Sequence, residues 1–311
     1  MTTATAPLAR LGDRLPTRIT PGVHRLAVAS LVSEVAIIVT GGAVRLTKSG
    51  LGCAEWPNCM PGTMTPTAEM GIHGLIEFGN RMLTFVLAAI AVATLVALWK
   101  GRKEHRTVFA VATALLAGIP LQAVIGGITV WSDLNPWVVS LHFVASSLMV
   151  SLATLMVNRT GRVVRGEASI AVPPLTGTQR SLGWAILVIS AVAIYLGTIV
   201  TGTGPHAGDA AAPRHGFDAL TVTRLHAVPV YLLVASTVLA LFLAFRSPTS
   251  AGLRRALVLL AAVLVLQAGI GYWQHFTGLP VGLVLAHMLG AALLAAAATN
   301  VWDRSTGRFP L

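Results

Sequence analysis

The chain has 311 residues, of which 55% are apolar and only 11% charged, against roughly 25% charged in a soluble globular domain. That deficit excludes an ordinary soluble fold. The net charge of +11 would suit a nucleic-acid partner, but the basic residues are spread in a pattern that excludes one.

Residues 1–22 carry Arg10, Arg14 and Arg18 without an apolar run, as in a cytoplasmic basic tail rather than a cleaved leader. Apolar runs then recur at 24–44, 72–99, 107–131, 137–158, 181–202, 222–245, 254–275 and 279–302. Each can cross the roughly 30 Å hydrocarbon layer as a helix. The predicted class is an all-α integral membrane protein, eight transmembrane helices forming two pseudo-symmetric four-helix bundles. The N-terminal half spans 23–158 and the C-terminal half 181–302. Between them lies a cytoplasmic linker, 159–180, polar and basic and holding Pro173-Pro174; a short cytoplasmic tail, 303–311, follows.

The halves repeat. Leu121-Gln122-Ala123 on the third span matches Leu266-Gln267-Ala268 on the seventh, and Val39-Thr40-Gly41 matches Val200-Thr201-Gly202. Pro136 and His142 on the fourth span match Pro280 and His287 on the eighth. Four spans per half give both halves the same orientation, related by an axis along the membrane normal.

Most of the 22 Lys and Arg residues fall in the tail, in the turns after the second and sixth spans, in the linker and at the C-terminus. Both termini are therefore expected in the cytoplasm of a cell-membrane protein, with lipid rather than nucleic acid as the surrounding partner. Trp99, Trp131, Trp137, Trp184, Trp273 and Trp302 fall at span ends, as an interfacial belt requires. Cys53 and Cys59 share the first outward loop, where oxidation to a disulfide is expected.

Polar side chains at membrane depth usually serve a function. They are Glu34 on the first span, expected to hydrogen-bond within the bundle; Glu77, Asn80 and Arg81 on the second; and His142, His226 and His287 on the fourth, sixth and eighth. The even spans all run inward, so their polar groups share one level near the outer face. His226 and His287 stand on paired helices, the arrangement by which bundles grip a haem iron from both sides. Aligning Asn80-Arg81-Met82 with His226-Ala227-Val228 puts asparagine where the first half should have its second imidazole. Glu77 and Asn80 share a face, His73 joins it about a turn nearer the outside, and Arg81 is placed to pair with Glu77.

Gly41-Gly42-Ala43-Val44-Arg45-Leu46-Thr47-Lys48-Ser49-Gly50-Leu51-Gly52-Cys53, with Trp56-Pro57 and Cys59 after it, resembles the glycine-rich exit and cysteine loop of the haem A synthase family, bacterial type. Ile76-Glu77-Phe78-Gly79-Asn80-Arg81-Met82 is similar to that family's second-helix signature, and Gly204-Pro205-His206-Ala207-Gly208 to its loop after the fifth helix. The resemblance covers nearly the whole chain. It implies an oxidoreductase that turns the C8 methyl of haem O into a formyl group through successive hydroxylations. It implies a resident haem b on His226 and His287 for electron transfer, haem O near His142, Glu77 in catalysis, and the cysteine pair over that site. The family commonly has histidine where this chain has Asn80. His142 then holds the substrate haem alone, or His73 substitutes, with Asn80 and Arg81 lining the pocket. Haem O synthase and an electron acceptor are the partners such an enzyme needs; a homo-oligomer is compatible with it. The competing reading is a two-haem, b-type electron-transfer protein of the quinol oxidoreductase kind, which needs four good axial ligands.

Overall fold

The computed structural model describes residues 15–167 and 174–307. Among these, eight helices are long and apolar enough to cross a membrane. They are α1 (Pro21–Leu46), α2 (Gly71–Leu98), α3 (Arg106–Trp131), α4 (Pro136–Val164), α5 (Gly177–Thr203), α6 (Ala219–Arg246), α7 (Ala251–Phe276) and α8 (Val281–Thr306). A short 3₁₀ turn, Ala68–Met70, leads into α2.

The helix starts obey local chemistry. Thr20, Asn135, Thr176, Asp218 and Ser250 each accept a backbone N–H from the first turn that follows, satisfying donors no intrahelical carbonyl can reach. Proline opens α1 and α4, where its missing N–H costs nothing.

The pairing of helices draws two rings. In the first half α1 packs on α2 and α4, and α3 packs on α2 and α4; α5, α6, α7 and α8 repeat that pattern. Neither diagonal closes: no Cα of α2 comes within 8 Å of α4, nor any of α6 within 8 Å of α8. The halves meet along a seam where α4 touches α5 and α8, and α1 touches α8. Gly42 of α1 is needed there, since a Cβ would lie 3.0 Å from the ends of Leu285 and Met288.

Each ring is packed solid at one end only. Leu87, Ala91, Leu98, Val108, Ala112, Leu115, Ile119, Met149 and Met156 fill the first. Leu233, Ala240, Leu253, Leu257, Leu260, Ala292 and Ala295 fill the second. In every even helix these residues follow the intramembrane polar group; in α3 and α7 they precede Gln122 and Gln267. The opposite end of each ring is thus lined by histidine, glutamine, glycine and, in the first, Glu77 and Asn80. Large apolar side chains such as Phe85 and Val265 face outward, where lipid can cover them.

Two helices outrun their apolar runs. α4 continues to Val164 and α8 to Thr306 because charge is buried between them. Asp303, 4% exposed, accepts from Arg162 and from Asn158 Nδ2 at 3.3 Å, and lies 3.8 Å from Arg159. Trp302 departs from the expected interfacial belt. It is buried and meets Trp184 edge-on at 5.0 Å, because α8 extends a turn beyond it. Asp303→Ala would remove the buried carboxylate from beside Arg159 and Arg162, and thermal denaturation in detergent should show a loss of order 3 kcal/mol.

Candidate functional site

At about 1.5 Å per residue, Glu77, Asn80, His142, His226 and His287 lie roughly 9–14 Å from the first residue of their helices, so they share a level. His142 and His287 are held alike. Gln122 Nε2 reaches the carbonyl of His142 at 3.4 Å and Gln267 Nε2 that of His287 at 3.2 Å, twenty residues on in both cases. Glycine stands opposite each ring: a Cβ on Gly126 would sit 3.5 Å from His142 Cε1, and one on Gly271 3.4 Å from His287 Cε1. In both imidazoles Nδ1 is buried without a hydrogen-bond partner among the described residues. An orphaned buried nitrogen costs about 1–3 kcal/mol, so these rings are built to meet something else.

Across the open diagonal from His287 stands His226. Its Nδ1 lies 3.0 Å from the Ala193 carbonyl, which fixes the tautomer and leaves Nε2 free to ligate. A Cβ on Gly197 would come 3.2 Å from its Cε1, so glycine again makes the room. Among the described residues no three His, Cys, Asp or Glu side chains gather as a bare-metal site. Two imidazoles across a gap fit an iron that arrives with four ring nitrogens of its own.

The first half differs on α2. Glu77 is buried; its Oε1 pairs with Arg81 Nη2 at 2.6 Å, and its Oε2 accepts the Cys53 N–H at 2.7 Å. Arg81 also donates to the carbonyls of Cys53, Glu55 and Asn58, at 2.9–3.2 Å. The ion pair therefore grips the loop closed by the Cys53–Cys59 disulfide, whose Cα atoms are 4.3 Å apart. Trp56 anchors that loop on α3: it meets Trp131 edge-on at 5.3 Å and gives its carbonyl to Trp131 Nε1 at 3.2 Å. The loop thus covers the α2–α3 side of the first ring. Alkylation of intact cells should label neither cysteine until a reductant is added; labelling of both without reductant would show the thiols to be free.

Asn80 accepts from Thr40 Oγ1 at 2.7 Å. His73 is exposed, with Nδ1 2.9 Å from Ser49 Oγ at the exit of α1, which leaves His142 as the imidazole of the first ring. Glu34 does not meet its expectation: it is buried in mid-α1 but has no hydrogen bond among the described residues. Arg45 donates to the carbonyls of His206 at 2.6 Å and Thr201 at 3.2 Å; the His206 ring reaches the Leu279 carbonyl at 2.9 Å. Sequence reasoning found Gln122 and Gln267 as a repeat but gave them no role. Their equal spacing to a histidine was the available signal.

The fold and site define a polytopic helical membrane protein with histidines at one level in both rings and a disulfide-closed loop over the first. A family model described as cytochrome oxidase assembly protein, COX15-CtaA, matches residues 24–299, and the chain belongs to that family. It is 27% identical to the Heme A synthase of Chelativorans sp. (strain BNC1), over 90% of each chain. It is 29% identical to that of Bradyrhizobium diazoefficiens, over 91% of each. To that of Bacillus pumilus it is 26% identical, over 84% of this chain and 88% of the relative.

Proposed function

We propose that the chain is a haem A synthase of the cell membrane, with both termini in the cytoplasm, which oxidises the C8 methyl of haem O to a formyl group. The observation that carries this reading is the inequality of the rings. The same glutamine–histidine–glycine arrangement occurs in both. Only the second adds an imidazole across the gap, and only the first adds a carboxylate and a covering loop. A symmetric two-haem carrier would need no such difference.

In this reading His226 and His287 hold a resident haem b, which when bound supplies an electron-transfer group. His142 holds the iron of haem O, the substrate. Twice over, a C–H of the methyl becomes C–OH: water supplies the oxygen, two electrons leave for an external acceptor and two protons are released; the resulting gem-diol sheds water to leave the formyl group. Glu77 handles protons at the substrate's edge. Each of its oxygens already accepts one hydrogen bond, from the Cys53 amide and from Arg81, so a proton taken up there weakens the ion pair that grips the loop above. Arg81 positions that loop and keeps Glu77 aimed; the loop keeps water from the reacting carbon.

The test is to supply haem O, with an electron acceptor, to the purified full chain and separate the extracted haems. Wild type should yield haem A, and His142→Ala should yield little while keeping its resident haem. A wild type that makes no haem A but binds two haems tightly would favour the electron carrier.

A further inference from the structure

Apart from the carboxylate and the loop, the cups differ at one equivalent position on their second helices. On α6 it is His226, turned by Ala193 and given room by Gly197. On α2 it is Asn80, and its surroundings do not imitate an imidazole. Thr40 Oγ1 donates to Asn80 Oδ1 at 2.7 Å. With Thr40 donating to Oδ1, the oxygen is occupied and the NH₂ remains. Nδ2 has no acceptor among the described residues, and the nearest approach to it from a Cβ built on Gly41 is 4.0 Å. A carboxamide nitrogen shares its lone pair with its carbonyl, so it donates hydrogen bonds and does not ligate iron. His73, the other imidazole nearby, is tied to Ser49 and exposed.

Resting on the reading that the first ring holds haem O, we infer that His142 is the substrate iron's only protein ligand. The iron's α2 side is open to a small diatomic or anionic molecule, and Asn80 Nδ2 is the hydrogen-bond donor to it. The second ring, with an imidazole on each side, admits no such molecule. Thr40 is a positioning residue: by holding Oδ1 it keeps the NH₂ end for the bound molecule.

The experiment uses the purified full chain loaded with haem O, with carbon monoxide as probe for the reduced protein and cyanide for the oxidised one. In the wild type the first-half haem should be high-spin when ferric, bind cyanide, and bind carbon monoxide when reduced. The second-half haem should stay low-spin and unresponsive, reporting an intact fold. Asn80→His should convert the first-half haem to low-spin and abolish the carbon monoxide response. Asn80→Ala should retain binding but release cyanide several-fold faster, and Thr40→Val should shift the bound carbon monoxide stretch toward that of Asn80→Ala. A wild-type first-half haem that is low-spin and refuses carbon monoxide would overturn the inference, as would an Asn80→His protein that still binds it. If His142→Ala keeps both haems and the carbon monoxide response, the reading of the first ring as the substrate site fails instead.

Discussion

Glu77→Gln should lower haem A formation by about 10²–10⁴-fold, the range a positioned proton-handling group contributes, while the low-spin spectrum of the second ring is unchanged. Glutamine keeps the shape and can still accept the Cys53 amide, so the loop retains part of its anchor. What it loses is the charge that pairs with Arg81 at 2.6 Å and the capacity to take up a proton. The resident haem should survive because both its ligands, and the carbonyl and glycines that set them, come from α5 to α8. Arg81→Lys separates the two roles of the pair. Lysine keeps the charge but loses the fork that serves three loop carbonyls at once. If Glu77 only holds the loop, the two variants should fall together and the cysteines of both should become reducible. If it handles protons, Glu77→Gln should fall further and flatten the pH dependence of turnover. A normal rate in Glu77→Gln would reduce Glu77 to the structural partner of Arg81.

His226→Ala and His287→Ala should each abolish the low-spin signal of the resident haem and with it sustained turnover. The second ring offers no substitute in Gln267, Gly197 and Gly271, which stand beside the two imidazoles. A protein that binds its cofactor only when folded is stabilised by that binding, so both variants should also melt earlier than the wild type. Added imidazole should restore part of the signal, because Gly197 and Gly271 leave room beside the lost rings. Full retention of the low-spin signal in both variants would remove these residues from the ligand set.

The spans were legible because nothing but lipid tolerates eight apolar runs of this length, and their ends were read to within a few residues wherever a cap or proline marks them. α4 escaped that reading. Arg159, Thr160 and Arg162 look like linker, and they are helical because Asp303, far along the chain, takes the charge of the two arginines. Composition cannot announce a partner so distant. In the same way the level of the histidines and the gap at Asn80 could be read from an internal repeat, since both are matters of spacing. The grip of Arg81 could not, because it falls on backbone carbonyls, which every residue possesses. Arg45 is the same case. Its partners are the backbone carbonyls of Thr201 and His206.

Those carbonyls bear on how the molecule can move. At one end of the seam, Arg45 of α1 holds the loop after α5, and His206 in that loop holds the turn before α8. At the other end, Asp303 of α8 is bound by Arg162 and Asn158 of α4. Ties at both margins of the seam resist the rocking by which a transporter's halves alternate between two openings. A porphyrin with a long hydrocarbon tail dissolves in the bilayer far better than in water. It would therefore enter and leave the first ring edgewise through the flank of the protein, without the rings parting, and the separation between that ring and the second would stay constant from one turnover to the next.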